Sequence, residues 1–282
     1  MANKHRKHPK NVPSSFFVDS TCINCGTCYW IAPNVFDCID GQSAVVKDPK
    51  EELNNAYQAL LSCPTNSIGY LKKDKPQIKG PFLLEENVYT TGYHSERSFG
   101  ATSYFIKDSK NILIDSPRYL TRLAKEFKIM GGIRLQLLTH QDDIAEAEDY
   151  HQEFQSTLYF PRAEKNKKNL IVDQYLDEEI QITEDLLAIP TPGHTKGHFC
   201  YLYKNKFLFT GDHLCYSKSR GHLIGFKNHC WYSVKELRSS IEKLKNYEFN
   251  YILPGHGSPI KYESSRQAHA EIDRCLEWFD QA

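Results

Sequence analysis

The feature that most constrains this 282-residue chain is a group of cysteines near its beginning. Three of them lie close together in the run CINCGTC, and a fourth stands further along in front of a proline; they are Cys22, Cys25, Cys28 and Cys63. Closely spaced thiols with a remote Cys-Pro are the ligand pattern of a bacterial-type iron–sulfur cluster. Gly26, inside the run, lets the backbone turn tightly around an inorganic core. The pattern therefore predicts one cage built from four thiolates.

The same run indicates one cluster rather than two. In two-cluster proteins a further Cys-Pro follows the third cysteine after three residues, and that cysteine binds the other cluster. Here Ala32 and Pro33 occupy those places. A structural zinc site is the alternative, although zinc ligands usually come as two separated cysteine pairs. Cys38 has no place in the pattern, and we expect it to be a small buried hydrophobic residue.

In these residues the chain resembles single-cluster [4Fe-4S] ferredoxins. The likeness extends from about residue 15 to residue 70 and includes the segment EELNNAYQALLSCPTNSI, which carries the last cysteine. The resemblance implies an α+β ferredoxin-like domain. It also implies that one [4Fe-4S] cluster is held by Cys22, Cys25, Cys28 and Cys63.

Charge and hydropathy exclude several classes of function. Lys+Arg and Asp+Glu both number 35, so we expect no general binding to nucleic acid or to anionic membranes. No stretch approaches the roughly 18 apolar residues that span a bilayer, which predicts no membrane insertion. The beginning of the chain lacks the apolar region of a secretory signal. Together with the odd total of nine cysteines and an oxidation-sensitive cluster loop, this predicts a cytoplasmic protein.

The pattern along the chain predicts two domains. Residues 1–14 are basic and are expected to be a solvated tail, and residues 15–70 form the cluster domain. Residues 71–81, charged and rich in proline, are typical of a linker. In residues 82–282, short β-like runs alternate with amphipathic stretches, which predicts layered α/β packing. The predicted strands lie within 103–106, 111–115, 135–140, 207–212 and 250–256, and the predicted helices within 117–131, 233–247 and 264–282, the last with Ser264 or Ser265 near its N-cap.

Five segments of the second domain place a histidine or an aspartate beside a glycine, a proline or a strand end: ILIDSP, LLTHQDD, TPGHTKGH, FTGDHL and LPGHGSP. In this order they resemble the motifs of the metallo-β-lactamase fold, over about residues 80–263. The resemblance implies an αββα sandwich with a site for one or two metal ions along one edge. It implies metal binding by His140, His194, Asp212 and His256, with Asp212 in the bridging position.

The first of these motifs departs from the family pattern H-x-H-x-D-H. Asp142 replaces the second histidine, and Ile144 and Ala145, which cannot bind metal, fall on the last pair. If the loop is two residues longer, Glu146 takes the place of the aspartate. The expected ligands are then His140, Asp142 and His194 for one metal and Asp212 and His256 for the other, with Asp143 or Glu146 in support.

Two histidines and a carboxylate with open positions form a set used by non-haem iron(II), and imidazole and carboxylate also suit zinc. The flavodiiron relatives of the fold likewise carry an acidic residue at the second-histidine position. The alternative is a fold that has lost its metal. Two further histidines, His198 and His213, flank the motifs and are candidates to support the ligands.

Three functions are compatible with the sequence. In the first, the ferredoxin domain passes single electrons to an iron site in the second domain or to a redox partner protein, since hydrolysis alone needs no electrons. In the second, the protein is a metal-dependent hydrolase of an ester, thioester or amide in which Asp142 or Asp143 is the catalytic proton acceptor. In the third, the chain is a specialised ferredoxin with a non-catalytic scaffold domain. No glycine-rich phosphate loop is present, so a nucleotide or flavin site has no support. The stretch SRGHLIGFKNHCWYS is expected to line the mouth of the site for a small-molecule substrate. Two roles are open for its residues His222, His229, Trp231 and Tyr232: they select the ligand, or they only pack.

Overall fold

The computed structural model of the chain describes residues 2–166 and 170–281. Their contacts divide the chain into two compact units. Unit 1 comprises Met1–Ile133 and Ala145–Glu153, and unit 2 comprises Arg134–Ile144 and Phe154–Ala282. Within the described ranges, no helix combines the length and the apolar character that crossing a bilayer requires.

The first part of unit 1 is a small α+β arrangement around the cysteines. Strand β1 pairs antiparallel with β4, and β2 forms a hairpin with β3. Helix α1 begins directly after Gly26, and α2 ends one residue before Cys63, so the ends of both helices position cysteines. The elements are β1 Phe16–Val18, α1 Thr27–Ile31, β2 Phe36–Ile39, β3 Gln42–Val45, α2 Leu53–Ser62 and β4 Ile68–Tyr70, preceded by a 3-10 turn at Lys4–Arg6.

Two expectations for this region differ from the structure. The basic segment 1–14 is not a solvated tail, because the side chain of Asn11 accepts hydrogen bonds from the backbone N–H groups of Val18 (3.1 Å) and Val45 (2.9 Å). These bonds attach the segment to the edges of β1 and β3. Cys38 is exposed rather than buried. It lies on β2, which pairs only with β3 among the described strands, so part of this hairpin faces solvent.

The remainder of unit 1 is an antiparallel meander of four strands with two helices. Residues 71–81 carry no helix or strand, and they lie within unit 1 rather than between the two units. The elements are β5 Phe82–Glu85, β6 Val88–Thr90, β7 Tyr104–Ile106, β8 Ile112–Ile114, α3 Thr121–Ile129 and α4 Ala147–Phe154, with a 3-10 turn at Glu96–Ser98.

Unit 2 contains a set of parallel strands, β9, β10 and β11, and a larger mixed sheet in the order β12-β13-β14-β15-β18-β19. A separate hairpin joins β16 to β17. The elements are β9 Leu135–Leu137, β10 Thr157–Pro161, β11 Gln174–Leu176, β12 Ile180–Thr183, β13 Leu186–Pro190, β14 Phe199–Tyr203, β15 Phe207–Gly211, β16 Leu214–Ser217, β17 His222–Gly225, α5 Val234–Lys243, β18 Tyr251–Pro254, β19 Ile260–Lys261 and α6 Ser265–Asp280.

The predicted strands and helices of the second domain are confirmed. Helix α6 begins after Ser264, whose hydroxyl accepts from the N–H of Gln267 (3.3 Å), so Ser264 is the N-cap. Helices α5 and α6 bury their apolar residues in one core with strands of the mixed sheet. Because β15 and β18 are parallel neighbours, their carboxyl ends lie together, and Asp212 and His256 follow these ends.

Candidate metal centres

The four predicted cysteines come together in unit 1. They line one cavity together with Val18, Ile23, Thr27, Ser43, Pro64, Thr65, Ser67 and Ile68. Gly26 has the role that the sequence predicts: its φ is +92°, and an added Cβ would lie 2.2 Å from the indole of Trp30. The cysteine loop therefore requires glycine at this position.

Backbone amides point at the cysteine sulfurs. The N–H groups of Asn24 and Ser43 donate to Cys22 Sγ, both at 3.4 Å, and the N–H of Ser67 donates to Cys63 Sγ at 3.3 Å. Such donors stabilise thiolates, and in iron–sulfur proteins they help to set the reduction potential. The donor set therefore fits a cluster bound through thiolates.

Burial raises the pKa of Cys25 to about 11 and the pKa of Cys28 well above its usual range. Without a cation these two buried groups are neutral thiols. Binding a cluster would therefore release protons, because only thiolates are ligands.

A second group of ligand-type side chains lies in unit 2. His140 follows β9, His194 follows β13, Asp212 follows β15 and His256 follows β18. His140 Nε2 and His194 Nε2 each lie 3.8 Å from Asp212 Oδ2, and His256 Nδ1 lies 2.7 Å from Asp212 Oδ1. The structure thus brings all four motif residues together around one carboxylate.

Asp142 and Asp143 also lie close to this group. His140, Asp142 and His194 offer ligand atoms within 4.8 Å of one another, and so do His140, Asp143 and Asp212. Asp143 is buried, with Oδ2 at 3.9 Å from His140 Nδ1. The carboxylate that replaces a family histidine therefore lies in one of these ligand-type groups, and Asp143 lies in the other.

Glu146 is not part of either group. It forms an ion pair with Arg97 at 3.5 Å, and it belongs to unit 1. Of the two carboxylates predicted to support the ligands, Asp143 rather than Glu146 therefore lies in a ligand-type group among the described residues.

The hydrogen bonds and charge states of the second group are those expected of a site that can bind a metal ion. Thr139 Oγ1 lies 2.9 Å from His140 Nδ1, which leaves Nε2 for a ligand. Within the described part of the chain, the buried Nε2 atoms of His140 and His194 have no hydrogen-bond partner. Burial lowers the pKa of His140 to about 4, so its imidazole is neutral at neutral pH. Neutral imidazoles facing carboxylates are a set that a divalent cation would satisfy.

The central carboxylate stays ionised. Burial opposes this, but the neighbouring His256, together with His140 and His194, holds the pKa of Asp212 below its usual range. Gly255 approaches the same carboxylate, since an added Cβ would lie 2.9 Å from both Asp212 Oδ1 and Asp143 Oδ2. The space between the two aspartates is therefore too narrow for any side chain on this residue.

Glu164 is a supporting residue that the sequence analysis missed. Its carboxylate accepts hydrogen bonds from the N–H of Gln141 (3.1 Å) and the N–H of Gly197 (2.5 Å). Gln141 follows the ligand His140, and Gly197 lies in the loop of the ligand His194. No local pattern marks Glu164, because its partners are 23 and 33 residues away along the chain.

The flanking histidines lie beside the ligands. His198 Nδ1 is 2.9 Å from Thr191 Oγ1, and its ring stacks on His213 with centroids 5.3 Å apart. Burial lowers the pKa of His213 to about 3, so this ring is neutral. Neither residue belongs to the two ligand groups found among the described residues.

In the stretch expected at the mouth of the site, Phe226 has a ring contact with His194 at 6.4 Å, and so does Trp231. Trp231 is 65% exposed. Tyr232 is also exposed. His229 contacts Trp231 at 6.2 Å, whereas His222 contacts Trp278 at 6.0 Å.

Comparison with known families agrees with both halves of this description. Residues 18–70 match the family model for the 4Fe-4S single cluster domain of Ferredoxin I, and residues 123–256 match the model of the metallo-beta-lactamase superfamily. The chain carries a single-cluster 4Fe-4S ferredoxin domain followed by a domain of the metallo-β-lactamase fold.

Two curated relatives share shorter segments with this chain. A hydroxyacylglutathione hydrolase of Bartonella tribocorum is 35% identical over 79 residues, which is 27% of this chain and 31% of that protein. A beta-lactamase-like protein 2 homolog of Caenorhabditis elegans is 31% identical over 90 residues, which is 30% of this chain and 28% of that protein. The matches thus span less than a third of either relative's length.

Among solved structures, the metallo-beta-lactamase FIM-1 from Pseudomonas aeruginosa, in its mono-zinc form, has a TM-score of 0.54 with this chain at 15% identity. The match covers 71% of this chain and 96% of that one. At this identity the likeness establishes the fold alone.

Proposed function

We propose that this protein is an iron–sulfur electron-transfer protein in which the cluster serves an iron-binding centre in the metallo-β-lactamase-like domain. In this proposal Cys22, Cys25, Cys28 and Cys63 hold one [4Fe-4S] cluster, and the second centre holds one or two iron ions. Electrons would enter from a redox partner protein, in the cytoplasm. Iron at the second centre would supply one-electron redox chemistry.

The observation that carries the proposal is the composition of the second ligand group. Asp142, Asp143 and Asp212 contribute three carboxyl groups beside two buried imidazoles, those of His140 and His194. Oxygen-rich sets with imidazole are typical of non-haem iron, and an attached cluster supplies the single electrons that such iron uses.

The chain's own residues have separate tasks in this centre. The hydroxyl of Thr139 orients His140 through Nδ1, and Glu164 fixes the loops of His140 and His194. Asp212, held ionised by its histidine neighbours, offers one oxygen to His256 and the other to the space beside His140 and His194. Asp142 is partly exposed and lies on the accessible side of His194, so it is the carboxylate able to exchange a proton with a substrate.

A metal-dependent hydrolase is the second candidate. The observation that favours it is the segment shared with a protein named hydroxyacylglutathione hydrolase. In that case the second centre would hold zinc, Asp142 would accept a proton from water, and the cluster would be structural or would sense the redox state.

Metal content separates the two candidates. Anaerobically purified protein is analysed for iron, zinc and sulfide, and the electron paramagnetic resonance spectrum is recorded before and after reduction. We expect iron beyond the roughly four ions of one cluster, with a second iron signal that changes on reduction. A second centre that takes up only zinc would refute the electron-transfer proposal and favour hydrolysis.

Matched variants assign each signal to its centre. Cys63→Ser removes a cluster ligand, and Cys38→Ser, at an exposed cysteine outside the cavity, is its control. Asp142→Asn removes a ligand of the second centre, and Asp185→Asn, at an aspartate paired with Lys204 at 3.9 Å, is its control. If the second iron of Cys63→Ser is reduced as fast as in the unaltered protein, the cluster does not deliver the electrons.

A further inference from the structure

A buried hydroxyl lies against one of the cluster cysteines. Thr27 Oγ1 is 3.3 Å from Cys25 Sγ, 3.1 Å from the carbonyl oxygen of Gly100 and 3.2 Å from His94 Nδ1. Thr27 and His94 are both buried. His94 and Gly100 lie outside residues 18–70, the part that matches the ferredoxin model. A segment beyond the cluster domain therefore reaches the cluster site.

The backbone fixes this segment against the cysteines. The N–H of His94 donates to the carbonyl oxygen of Ser62 at 3.2 Å, directly before Cys63. Gly100 has a φ of +85°, and an added Cβ would lie 2.9 Å from Cys25 Sγ. The segment 94–100 thus packs against Cys25 and is bonded to Ser62, and all of these residues belong to unit 1.

The available protons and acceptors decide where the Thr27 hydroxyl donates its hydrogen bond. The carbonyl oxygen of Gly100 can only accept, and His94 Nδ1 lies 2.9 Å from it, so Nδ1 carries the hydrogen and donates it. Thr27 has one hydroxyl proton and two possible acceptors, the Gly100 carbonyl and the Cys25 sulfur. When Cys25 binds a cluster it is a thiolate, which has no proton to donate and accepts strongly. Because His94 also bonds to the carbonyl, that oxygen keeps a donor when the Thr27 proton turns to the sulfur.

We propose that Thr27 donates a hydrogen bond to the Cys25 sulfur in the cluster-bound protein, and that His94 is the positioning residue that makes this bond available. Rotation of the Thr27 hydroxyl away from Gly100 leaves the carbonyl paired with His94. A donor at a ligand sulfur stabilises the reduced cluster more than the oxidised one, because the reduced cluster carries more negative charge. Thr27 and His94 together therefore raise the reduction potential of the cluster. This inference requires the cluster, but it does not depend on which metal or reaction the second centre has.

The test measures the midpoint potential of the cluster by an electron paramagnetic resonance titration. Thr27→Val removes the hydroxyl at constant shape and is expected to lower the potential by about 59 mV, a tenfold change in the ratio of oxidised to reduced protein for a one-electron couple. Thr27→Ser keeps the hydroxyl and should retain the potential. Thr183→Val, at a partly buried position on β12 in unit 2, is the control.

Variants of His94 test the positioning role. His94→Phe removes the donor and should lower the potential, because the Thr27 hydroxyl is then drawn to the Gly100 carbonyl. His94→Asn supplies an N–H near the Nδ1 position and should restore the potential. In the double variant Thr27→Val with His94→Phe, the shift should equal that of Thr27→Val alone, which a merely structural effect of His94 would not produce.

Iron and sulfide analysis establishes that each variant carries its cluster before its potential is compared. An unchanged potential in loaded Thr27→Val, or additive shifts in the double variant, would overturn the proposal. If Thr27→Val fails to assemble its cluster, His94→Phe carries the test, since it leaves the hydroxyl in place. An unchanged potential in loaded His94→Phe then overturns the proposal.

Discussion

Glu164 accepts hydrogen bonds from both loops that carry His140 and His194. Although Glu164 is not itself expected to bind metal, its removal should weaken metal binding at the second centre. In Glu164→Ala the buried N–H of Gly197 and the partly buried N–H of Gln141 lose their acceptor. Leaving a buried donor unsatisfied costs about 1–3 kcal/mol, so Gly197 alone predicts a loss of about that size in unit 2, and Gln141, which water can reach in part, adds less. Glu164→Gln keeps one acceptor oxygen and should cost about half as much.

The assay is denaturation by urea of the metal-free protein, followed through a signal from unit 2, together with metal affinity measured by competition with a chelator. We expect both the free energy of unfolding and the metal affinity to decrease in the order unaltered protein, Glu164→Gln, Glu164→Ala. Glu184→Gln, at an exposed glutamate in unit 2, is the control. Equal stability and affinity in Glu164→Ala and the control would refute the reasoning.

Glu164 also predicts a pH dependence. Burial raises the pKa of Glu164 above its usual value of 4.5, so the folded protein holds this proton more tightly than the unfolded chain does. The stability that protonation contributes should therefore decline as pH rises from 4.5 through the raised folded pKa. Glu164→Gln has no such proton. The difference in free energy of unfolding between the unaltered protein and Glu164→Gln should therefore become smaller as the pH rises from 4.5 through the raised pKa. A gap that widens with pH would contradict the assignment.

Three further predictions concern other positions. Gly255→Ala should lower metal content at the second centre, because the new methyl group would lie 2.9 Å from two carboxylate oxygens. Gly221→Ala, whose added Cβ has no atom within 4 Å, is the control and should keep its metal content. Equal metal loss in both variants would contradict the steric argument. Although burial opposes it, hydrogen bonds hold the pKa of Asp19 below its usual 3.8. The free energy of unfolding of unit 1 should therefore fall as the pH drops below about 3.8, and Asp19→Asn should lose this pH dependence. The same acid profile in Asp19→Asn and in the unaltered protein would contradict this. Glu146→Gln should leave metal content unchanged while Asp142→Asn lowers it, and a metal loss in Glu146→Gln would return Glu146 to the ligand set.

The sequence predicts those ligands of each centre that lie close together in the chain or directly after a strand. Cys22, Cys25 and Cys28 lie in one turn, and the pattern alone indicates the cage. The motifs around His194, Asp212 and His256 come directly after strands, so strand order brings them to one place. The altered first motif is harder, because counting residues allows either Asp143 or Glu146. The structure distinguishes them by burial and by the pairing of Glu146 with Arg97.

Residues that act through distant contacts were outside the reach of the sequence. Glu164 and His94 belong to no motif, and their roles arise from partners 6 to 67 residues away. The exposed Cys38 and the attached segment around Asn11 show the same limit. Composition describes how each segment would behave alone, whereas burial depends on which neighbours complete it.

The close packing of segment 94–100 against Cys25 bears on how the cluster domain is isolated. A fragment ending at Tyr70 would keep all four cysteines and the whole of the matched ferredoxin region. It would also lose Gly100 from its close approach to Cys25 Sγ, and water would take its place. Spectra and potentials from such an excised fragment would describe a wetter, more oxygen-accessible cluster, so the shortest faithful fragment must extend past residue 100.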